Sequence, residues 1–371
     1  MTIKTFPIES ISIEDAISLQ FRIVDTAARH LDGNEILSLG DLGVLRGINK
    51  PNRTKKVEQI FADVFDAESA LFVTGAGTGA LRWALTSMLK PGDKLLIHTA
   101  PVYPTTQTTI ETMGIEPISV NFNNPSEIER VCIENREYIK AVLVQHTRQQ
   151  IEDSYDFSET VRLFKRLMPQ VPVISDDNYA VLKTREIGCQ AGAEISTFSC
   201  FKILGPEGVG VLIGDNEYIK RVEKLQYSGG SQIQGHEAMV ALRGLIYAPV
   251  ALAISAKVTD ELEKRLNGGE LREVKAAYIA NAQSRVLIVE FHDDIAEALL
   301  EITPKFGAAA HPVGSESIYE TAPMIYRVSG TFRKSDPTLE KRMIRINPMR
   351  GGADTVIRIL RESLEHLKKE A

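Results

Sequence analysis

The chain has 371 residues, enough for two domains or for one large domain with a smaller partner. Its 43 basic residues stand against 49 acidic ones, a mildly acidic balance that argues against nucleic acid as the main partner. Residues 1–10 lack a basic region followed by an apolar stretch, and no later run has the length needed to span a bilayer, so we expect a cytoplasmic protein that acts on a small molecule. Three cysteines without metal-ligand spacing and few, scattered histidines predict neither a disulfide framework nor a metal site.

The first predicted element is an amphipathic helix over residues 12–33, and a polar, basic stretch over residues 46–56 then interrupts the pattern. From Val57 onward, short apolar strands alternate with helices. The predicted strands are 70–73, 94–98, 116–120, 140–144, 171–175, 195–199 and 208–213, and the predicted helices are 78–89, 105–113 and 159–167. This alternation predicts an α/β fold with a mostly parallel sheet that is covered on both faces.

The C-terminal third predicts a smaller α/β unit. A long helix over residues 237–256, interrupted near Pro249, leaves the sheet. Beyond it, the predicted strands are 285–291 and 343–346, the predicted amphipathic helices are 295–306 and 353–369, and residues 312–341 are irregular enough to form loops over a site. We expect three parts: an N-terminal helical segment (1–50) that packs on the small domain, a large domain (51–245) and the small domain (246–371).

Lys202 stands out because it lies between the apolar strand 195–199 and a glycine-rich turn. Residues 199–210 read Ser-Cys-Phe-Lys-Ile-Leu-Gly-Pro-Glu-Gly-Val-Gly. A free lysine has a pKa near 10.4, so at neutral pH only roughly one molecule in a few thousand carries the neutral amine. Desolvation favours that neutral form and makes a Schiff base with an aldehyde possible. An ordinary loop lysine is the alternative.

A second glycine-rich segment lies at residues 74–82, Thr-Gly-Ala-Gly-Thr-Gly-Ala-Leu-Arg, which follow a strand and open a helix. The start of a helix presents backbone N–H groups and a positive dipole end to an anion, so this segment predicts a phosphate cradle. A dinucleotide-binding turn is a competing interpretation. Its third glycine would fall at Ala80, and the end of the next strand offers no acidic residue.

Residues 171–179 end an apolar strand in Asp176, Asp177 and Tyr179. In an open α/β sheet, ligands bind at the carboxyl ends of the strands. A carboxylate in that place can keep a pyridine nitrogen protonated, whereas a helix cap or a solvated turn would use the same residues structurally. The residues themselves leave open whether Asp176 or Asp177 would face such a ring.

Taken together, these segments resemble the fold-type I enzymes that depend on pyridoxal 5'-phosphate (PLP), the aspartate aminotransferase superfamily. The pattern Ser-x-x-Lys-x-x-Gly-Pro-x-Gly-x-Gly is similar to that of the class V aminotransferases, and the resemblance covers residues 46–244. It implies a large domain with a mostly parallel, seven-stranded type of sheet between helices, and a smaller C-terminal α/β domain. It also implies that Lys202 holds PLP as a Schiff base.

The resemblance further implies a role for residues along the chain. The implied phosphate-binding residues are Ala76, Gly77 and Thr78, and the implied ring contacts are Tyr103 by stacking, Asp176 at the pyridinium nitrogen and Tyr179 at the ring hydroxyl. Ser199 belongs to the same cofactor-binding set. Arg345, in an Arg-Ile segment, is the candidate for the substrate α-carboxylate, because a guanidinium grips a carboxylate with two parallel hydrogen bonds. Arg350 is a second candidate, and His146 either lines the cofactor or is structural.

The flanking segments resemble cystathionine-lyase relatives. Residues 46–54, with Arg46 and Arg53, look like the segment that reaches the cofactor phosphate of the neighbouring subunit, and residues 226–230 with 241–245 suggest the same homodimer with composite sites. We expect an aminotransferase in which Lys202 moves protons at the α-carbon of an amino-acid substrate. The alternative is β- or γ-elimination of the cystathionine-lyase type, ahead of racemisation and decarboxylation. A further alternative, from a different class of function, is a PLP-binding regulator that catalyses no reaction.

Overall fold

The protein was analysed as a computed structural model, which describes residues 4–148, 150–227, 231–282, 284–309, 316–328 and 336–370. The chain divides into two compact units. The larger unit comprises Glu14–Thr147 and Ser154–Pro249, and the smaller unit comprises the described residues of Met1–Ile13, Arg148–Asp153 and Val250–Ala371.

The larger unit is built on a seven-stranded sheet. Its strands are β1 (Ser69–Thr74), β2 (Lys94–His98), β3 (Glu116–Val120), β4 (Ile139–Gln145), β5 (Val173–Asp176), β6 (Ile195–Ser199) and β7 (Val209–Gly214). They lie in the order β1-β7-β6-β5-β4-β2-β3, and β7 alone runs antiparallel to its two neighbours. The predicted mostly parallel α/β sheet is therefore confirmed.

Helices surround this sheet. They are α1 (Ile13–His30), α2 (Gly33–Leu37), α3 (Asn52–Val64), α4 (Ala76–Met88), α5 (Pro104–Thr112), α6 (Pro125–Asn135), α7 (Phe157–Leu167), α8 (Gly188–Ala191) and α9 (Asn216–Leu225). Successive strand residues point to opposite faces: Leu95 and Ile97 of β2 join one core, whereas Leu96 joins the other. The strands inside the sheet, buried on both faces, are therefore largely apolar, whereas the edge strand β3 is mostly exposed.

The expected polar stretch over residues 46–56 contains the start of α3. The Asp41 carboxylate accepts hydrogen bonds from the backbone N–H groups of Asn52 (2.7 Å) and Arg53 (3.0 Å). These are first-turn N–H groups that have no acceptor inside the helix. The helix was missed in the sequence because its capping side chain lies outside the local pattern.

The unit boundaries differ from the expected domains. Residues 14–50 belong to the larger unit, whereas we expected residues 1–50 to pack on the small domain. Lys50 gives one physical reason, since its buried ammonium lies 2.8 Å from a carboxylate oxygen of Glu58 and 2.9 Å from one of Glu223. The second boundary falls after Pro249 rather than after residue 245.

The long helix α10 (Gly235–Asn267) continues through Pro249, contrary to the expected interruption. Proline removes one helical hydrogen bond, and here the neighbouring Leu245 and Ala248 are fully buried, so packing compensates. By length and composition, α10 could also cross a membrane, which the sequence analysis overlooked, but 56% of its apolar window is buried inside the fold. A core helix of a soluble domain has the same properties.

The smaller unit contains an antiparallel sheet in the order β10-β11-β9-β8, made of β8 (Val274–Ala282), β9 (Ser284–Phe291), β10 (Met324–Arg327) and β11 (Met343–Asn347). Its helices are α11 (Ala296–Ile302), α12 (Leu339–Arg342) and α13 (Ala353–Glu370). The predicted helix 295–306 ends at Ile302 and continues as a 3-10 turn, Thr303–Phe306, which contains Pro304. Of the segment 312–341, residues 312–315 and 329–335 lie outside the described residues, and the rest includes β10.

Candidate active site

The candidate site lies in the larger unit, at the edge where the parallel strands end. Strands β1, β4, β5 and β6 run in the same direction, so Thr74, Gln145, Asp176 and Ser199 end at this edge. The glycine-rich cradle, the paired acids and the lysine turn each follow one of these strands. Their common strand direction, which the sequence pattern predicted, brings them to one side of the sheet.

Lys202 sits on a short 3-10 turn, Cys200–Ile203, directly after β6. The Ser199 hydroxyl begins this turn by accepting a hydrogen bond from the Phe201 N–H at 3.2 Å. The turn closes where the Gly205 N–H donates to the Cys200 carbonyl at 2.8 Å. A Cβ at Gly205 would lie 2.9 Å from Cys200, so the close return of the chain requires glycine there.

The half-buried Lys202 ammonium meets Tyr179. Its Nζ donates a hydrogen bond to the Tyr179 hydroxyl at 2.7 Å and lies 4.2 Å from the centre of the tyrosine ring. Tyr179 has a φ of 66°, a left-handed conformation that is unusual for a bulky residue. Strained backbone of this kind clusters at functional sites, and here it turns the chain sharply after β5.

The two acids after β5 have different surroundings. Asp177 is fully buried, and its carboxylate contacts the His146 Nδ1 at 2.8 Å and accepts hydrogen bonds from the Ser175 hydroxyl and the Gly188 N–H. Asp176 accepts two hydrogen bonds, both on Oδ1, from the backbone and the side chain of Asn178 at 3.1 and 2.8 Å. Among the described residues, the Asp176 Oδ2 has no hydrogen-bond partner.

The pKa of Asp176 is shifted from its ordinary value. Burial raises the pKa of Asp176 to about 6, an increase that the two hydrogen bonds from Asn178 only partly offset. The charge of the neighbouring Asp177 acts in the same direction as burial. Asp176 therefore presents one carboxylate oxygen that has no hydrogen-bond partner among the described residues.

The cradle begins at Gly75, whose φ of 96° turns the chain from β1 into α4. The backbone N–H groups of Gly75 and Ala76 both donate to the Gly208 carbonyl, at 2.9 and 3.0 Å, so the N–H of Ala76 is already used. The N–H groups of Gly77 and Thr78 lie in the first turn, where the helix itself offers no acceptor. They are the groups that α4 can direct to an anion.

Tyr103 lies at the start of α5. This helix follows β2, the next strand along the chain after the cradle. The Thr78 hydroxyl at the cradle lies 3.0 Å from the Thr105 hydroxyl in the first turn of α5. Tyr103 is 40% exposed, so its ring is accessible to a ligand. The hydroxyl contact brings the helix that carries Tyr103 to the cradle, as the sequence order suggested.

Sequence reasoning gave no role to Asn178, which the structure places between the acid and the lysine turn. Its Nδ2 donates to Asp176, and its Oδ1 accepts from the Ser199 N–H at 3.0 Å. His146, by contrast, is buried, stacks on Phe157 and bonds to Asp177. The only signal for Asn178 in the sequence is its place between two acids and a tyrosine.

Arg345 and Arg350 belong to the smaller unit. The Arg345 Nε donates to the Arg327 carbonyl at 3.0 Å, and its guanidinium lies 4.1 Å from the centre of the Tyr326 ring. Burial lowers the pKa of Arg350, whose buried Nη2 has no hydrogen-bond partner among the described residues. Of the dimer-like segments, Arg53 pairs with Glu35, Arg46 is exposed, and residues 228–230 lie outside the described chain.

Comparison with known proteins identifies the family. Residues 46–253, more than half of the chain, match the Cys/Met metabolism PLP-dependent enzymes. The chain belongs to this family. Residues 260–360 also match the YhfS-like C-terminal domain. The expected fold-type I architecture and the PLP cofactor are thereby confirmed, and the protein is a PLP-dependent enzyme of the Cys/Met metabolism family.

One relative is similar to this chain over nearly its whole length. The Escherichia coli (strain K12) protein YhfS is 53% identical over 361 residues, which cover 97% of this chain and 99% of that protein. The crystal structure of the PLP-dependent protein YhfS from Escherichia coli matches with a TM-score of 0.96 at 52% identity, over 98% of this chain and 99% of that one.

More distant structures share the fold. A cystathionine gamma synthase from Xanthomonas oryzae pv. oryzae has a TM-score of 0.71 at 14% identity and covers 95% of this chain and 99% of its own. A methionine gamma lyase from Micromonospora echinospora has a TM-score of 0.72 at 15% identity, with 94% and 98% covered. Family membership favours the lyase alternative over aminotransfer, which was our first expectation.

The described residues fit PLP. The Oδ2 of buried Asp176, which has no hydrogen-bond partner among the described residues, matches a protonated pyridine nitrogen. The first turn of α4 matches a phosphate. Between these two features in the fold, Lys202 offers an amine.

Proposed function

We propose that this enzyme catalyses β- or γ-elimination from an amino acid, as a lyase of the Cys/Met metabolism family. The observation that carries the proposal is the match of residues 46–253 to that family, together with Lys202 and Asp176 at one edge of the same sheet. The bound PLP would supply an electron sink for the carbanion that forms when the substrate loses its α-proton. The residues of the chain would do the rest.

In this proposal Lys202 has two roles. Its amine would hold the cofactor, and the same amine, when free, would move the proton at the substrate α-carbon. The Tyr179 hydroxyl, 2.7 Å from Nζ, holds the amine in place and is also suited to the ring hydroxyl. Elimination also needs a proton for the leaving group, and the Lys202 amine would supply it.

We assign the other cofactor contacts to residues near the same edge of the sheet. Asp176 would keep the pyridine nitrogen protonated through its unused Oδ2, while the saturated Asp177 supports the strand end. The N–H groups of Gly77 and Thr78 would bind the phosphate, with Ala76 contributing the shape of the turn. Ser199 would add its hydroxyl to the lysine side of the cofactor, and Tyr103 would stack on the ring.

Arg345 is our candidate for binding the substrate α-carboxylate. Its Nε is held by the Arg327 carbonyl and its plane is supported by Tyr326, so the guanidinium has a fixed orientation. Arg350 is a second candidate, because no residue in the described part of the chain forms a hydrogen bond with its buried Nη2. A planar, fixed guanidinium suits the bidentate grip that an amino-acid substrate requires.

We also propose that the enzyme is a cytoplasmic homodimer. Large apolar side chains are exposed near the N-terminus, among them Phe21 (66%), Leu37 (80%), Leu39 (79%) and Leu42 (71%). Three of these side chains lie within six residues of one another in the sequence, and a second copy of the chain would cover them. The three free cysteines fit a reducing compartment.

The first experiment tests the cofactor and its lysine. Purified protein should be yellow, and borohydride should fix the cofactor to the wild-type chain but not to Lys202→Ala. Lys165→Ala is a suitable control, because Lys165 pairs with Glu194 away from the strand edge. A colourless wild-type protein that ignores added PLP would sink the proposal.

The second experiment separates the reactions with a panel that includes cystathionine, cysteine and methionine. Release of ammonia and a keto acid, with the aldehyde form of the cofactor retained, supports elimination. Stoichiometric conversion to the pyridoxamine form with release of a keto acid would instead establish aminotransfer. Binding of PLP without turnover of any amino acid would favour a regulator.

A further inference from the structure

Asn178 contacts three parts of the candidate site at once. Its backbone N–H and its Nδ2 both donate to the Asp176 Oδ1, and its Oδ1 accepts from the Ser199 N–H, three residues before Lys202. A Cβ on Gly77 would lie 2.5 Å from the Asn178 Nδ2, so the first turn of the cradle packs directly on the amide. The acid, the lysine turn and the cradle therefore meet at one side chain.

Only an amide of this length satisfies these contacts. The carboxylate needs a donor and the Ser199 N–H needs an acceptor, so the two ends of the amide cannot be exchanged. Aspartate would keep the acceptor but would set a second negative charge against Asp176. Serine would be too short to reach both partners.

The contacts also decide which oxygen of Asp176 is available. Both hydrogen bonds from Asn178 go to Oδ1, which fixes the carboxylate plane and leaves Oδ2 as the oxygen without a partner among the described residues. Hydrogen bonds to a carboxylate favour its charged form, and the charged form is the one that can pair with a pyridinium. Asn178 thus prepares Asp176 for the ring nitrogen.

We propose that Asn178 is a positioning residue for the cofactor ring, acting through Asp176 and joining it to the lysine turn and the phosphate cradle. This inference rests on the proposed PLP function. It assigns to Asn178 an effect that depends on the ring nitrogen, since that atom is the partner of Asp176. If Asn178 only supported the fold, its substitution would weaken the binding of every cofactor analogue equally.

The experiment compares two cofactors on the full-length protein, PLP and an analogue whose ring nitrogen is replaced by carbon. We expect Asn178→Ala to weaken PLP binding roughly ten- to hundredfold, the usual range for hydrogen bonds to a charged group. Binding of the nitrogen-free analogue should weaken less than about threefold. In an Asp176→Asn background, Asn178→Ala should likewise cost less than about threefold for PLP, because the coupled partner is gone.

Asn123→Ala is a matched control. The Asn123 Oδ1 also accepts hydrogen bonds from two backbone N–H groups, those of Ser154 and Tyr155, at 2.7 and 3.0 Å. It lies on the loop after β3, which two strands separate from β5 in the sheet, so both cofactors should bind this variant with wild-type affinity. Asn178→Asp is the second variant, which keeps the size of the side chain if alanine fails to fold.

The outcomes separate the inference from the proposed function. Wild-type PLP affinity in soluble Asn178→Ala, or equal losses for PLP and the nitrogen-free analogue in both Asn178 variants, overturns the positioning role. Failure of the wild-type protein itself to bind PLP overturns the proposed function, on which the inference depends. A loss of affinity for PLP, without a comparable loss for the nitrogen-free analogue, supports the positioning role of Asn178.

Discussion

Replacing Asp176 by asparagine should stabilise the cofactor-free protein while weakening its hold on PLP. Asp176 is 8% exposed, and burial raises its pKa from 3.8 to about 6. A raised pKa means that the fold disfavours the ionised acid, so the native state keeps a proton that the unfolded chain has already lost. Stability attributable to this group is therefore present below about pH 4 and is lost as the pH rises to about 6.

The size of the pKa change gives the expected difference in the free energy of unfolding. One pKa unit corresponds to 1.36 kcal/mol, so a pKa raised by about two units costs the native state about 3 kcal/mol above pH 6. Asparagine has the same shape and no charge. The free energy of unfolding of Asp176→Asn should exceed that of the wild type by up to about 3 kcal/mol at pH 7, and by little at pH 4.

The assay is urea unfolding of the cofactor-free proteins between pH 4 and pH 8, followed by circular dichroism. Asp156→Asn is the control, because Asp156 is an exposed N-cap of α7 and asparagine caps equally well, so its free energy of unfolding should stay close to that of the wild type. A difference between Asp176→Asn and wild type that stays flat from pH 4 to pH 7 would refute the reasoning. Saturating PLP should reverse the order of stability, since the pyridinium compensates only the carboxylate.

Three other variants test separate parts of the molecule. Tyr179→Phe removes the hydroxyl that lies 2.7 Å from the Lys202 Nζ, so PLP should stay bound while turnover falls roughly ten- to hundredfold, and wild-type turnover would contradict this. Gly77→Ala should lower the free energy of unfolding by about 1–3 kcal/mol in urea, because its Cβ would lie 2.5 Å from the Asn178 amide; an unchanged midpoint contradicts the close packing. Lys50→Met should cost about 3–5 kcal/mol in the same assay, since Glu58 would be left buried without its cation; a neutral result would mean that Glu58 is uncharged.

The sequence predicted those elements whose bounds depend on neighbouring residues in the chain. The strands 94–98, 116–120 and 195–199 have the predicted bounds, because turn residues on either side of each short run mark where the strand begins and ends. The start of α3 was missed because Asp41, eleven positions before Asn52, provides the cap. The continuous α10 was missed because burial, which a sequence pattern shows only indirectly, offsets Pro249.

The sequence by itself determined the cofactor class. A lysine beside a glycine turn, a glycine-rich helix start and acids at a strand end occur in an order that one parallel sheet brings to one edge, and chain order is a property of sequence. It could not rank aminotransfer against elimination, because the same lysine and acid serve both.

The tertiary structure decided how the polar groups are shared. Asp177 is saturated by His146, 31 residues away, and by Gly188, 11 residues away, whereas Asp176 keeps an unused oxygen. The Ala76 N–H is taken by Gly208, and Asn178 joins the parts of the site. Each allocation depends on a partner that is distant in sequence, and a hydrogen bond over such a separation exists only once the chain has folded.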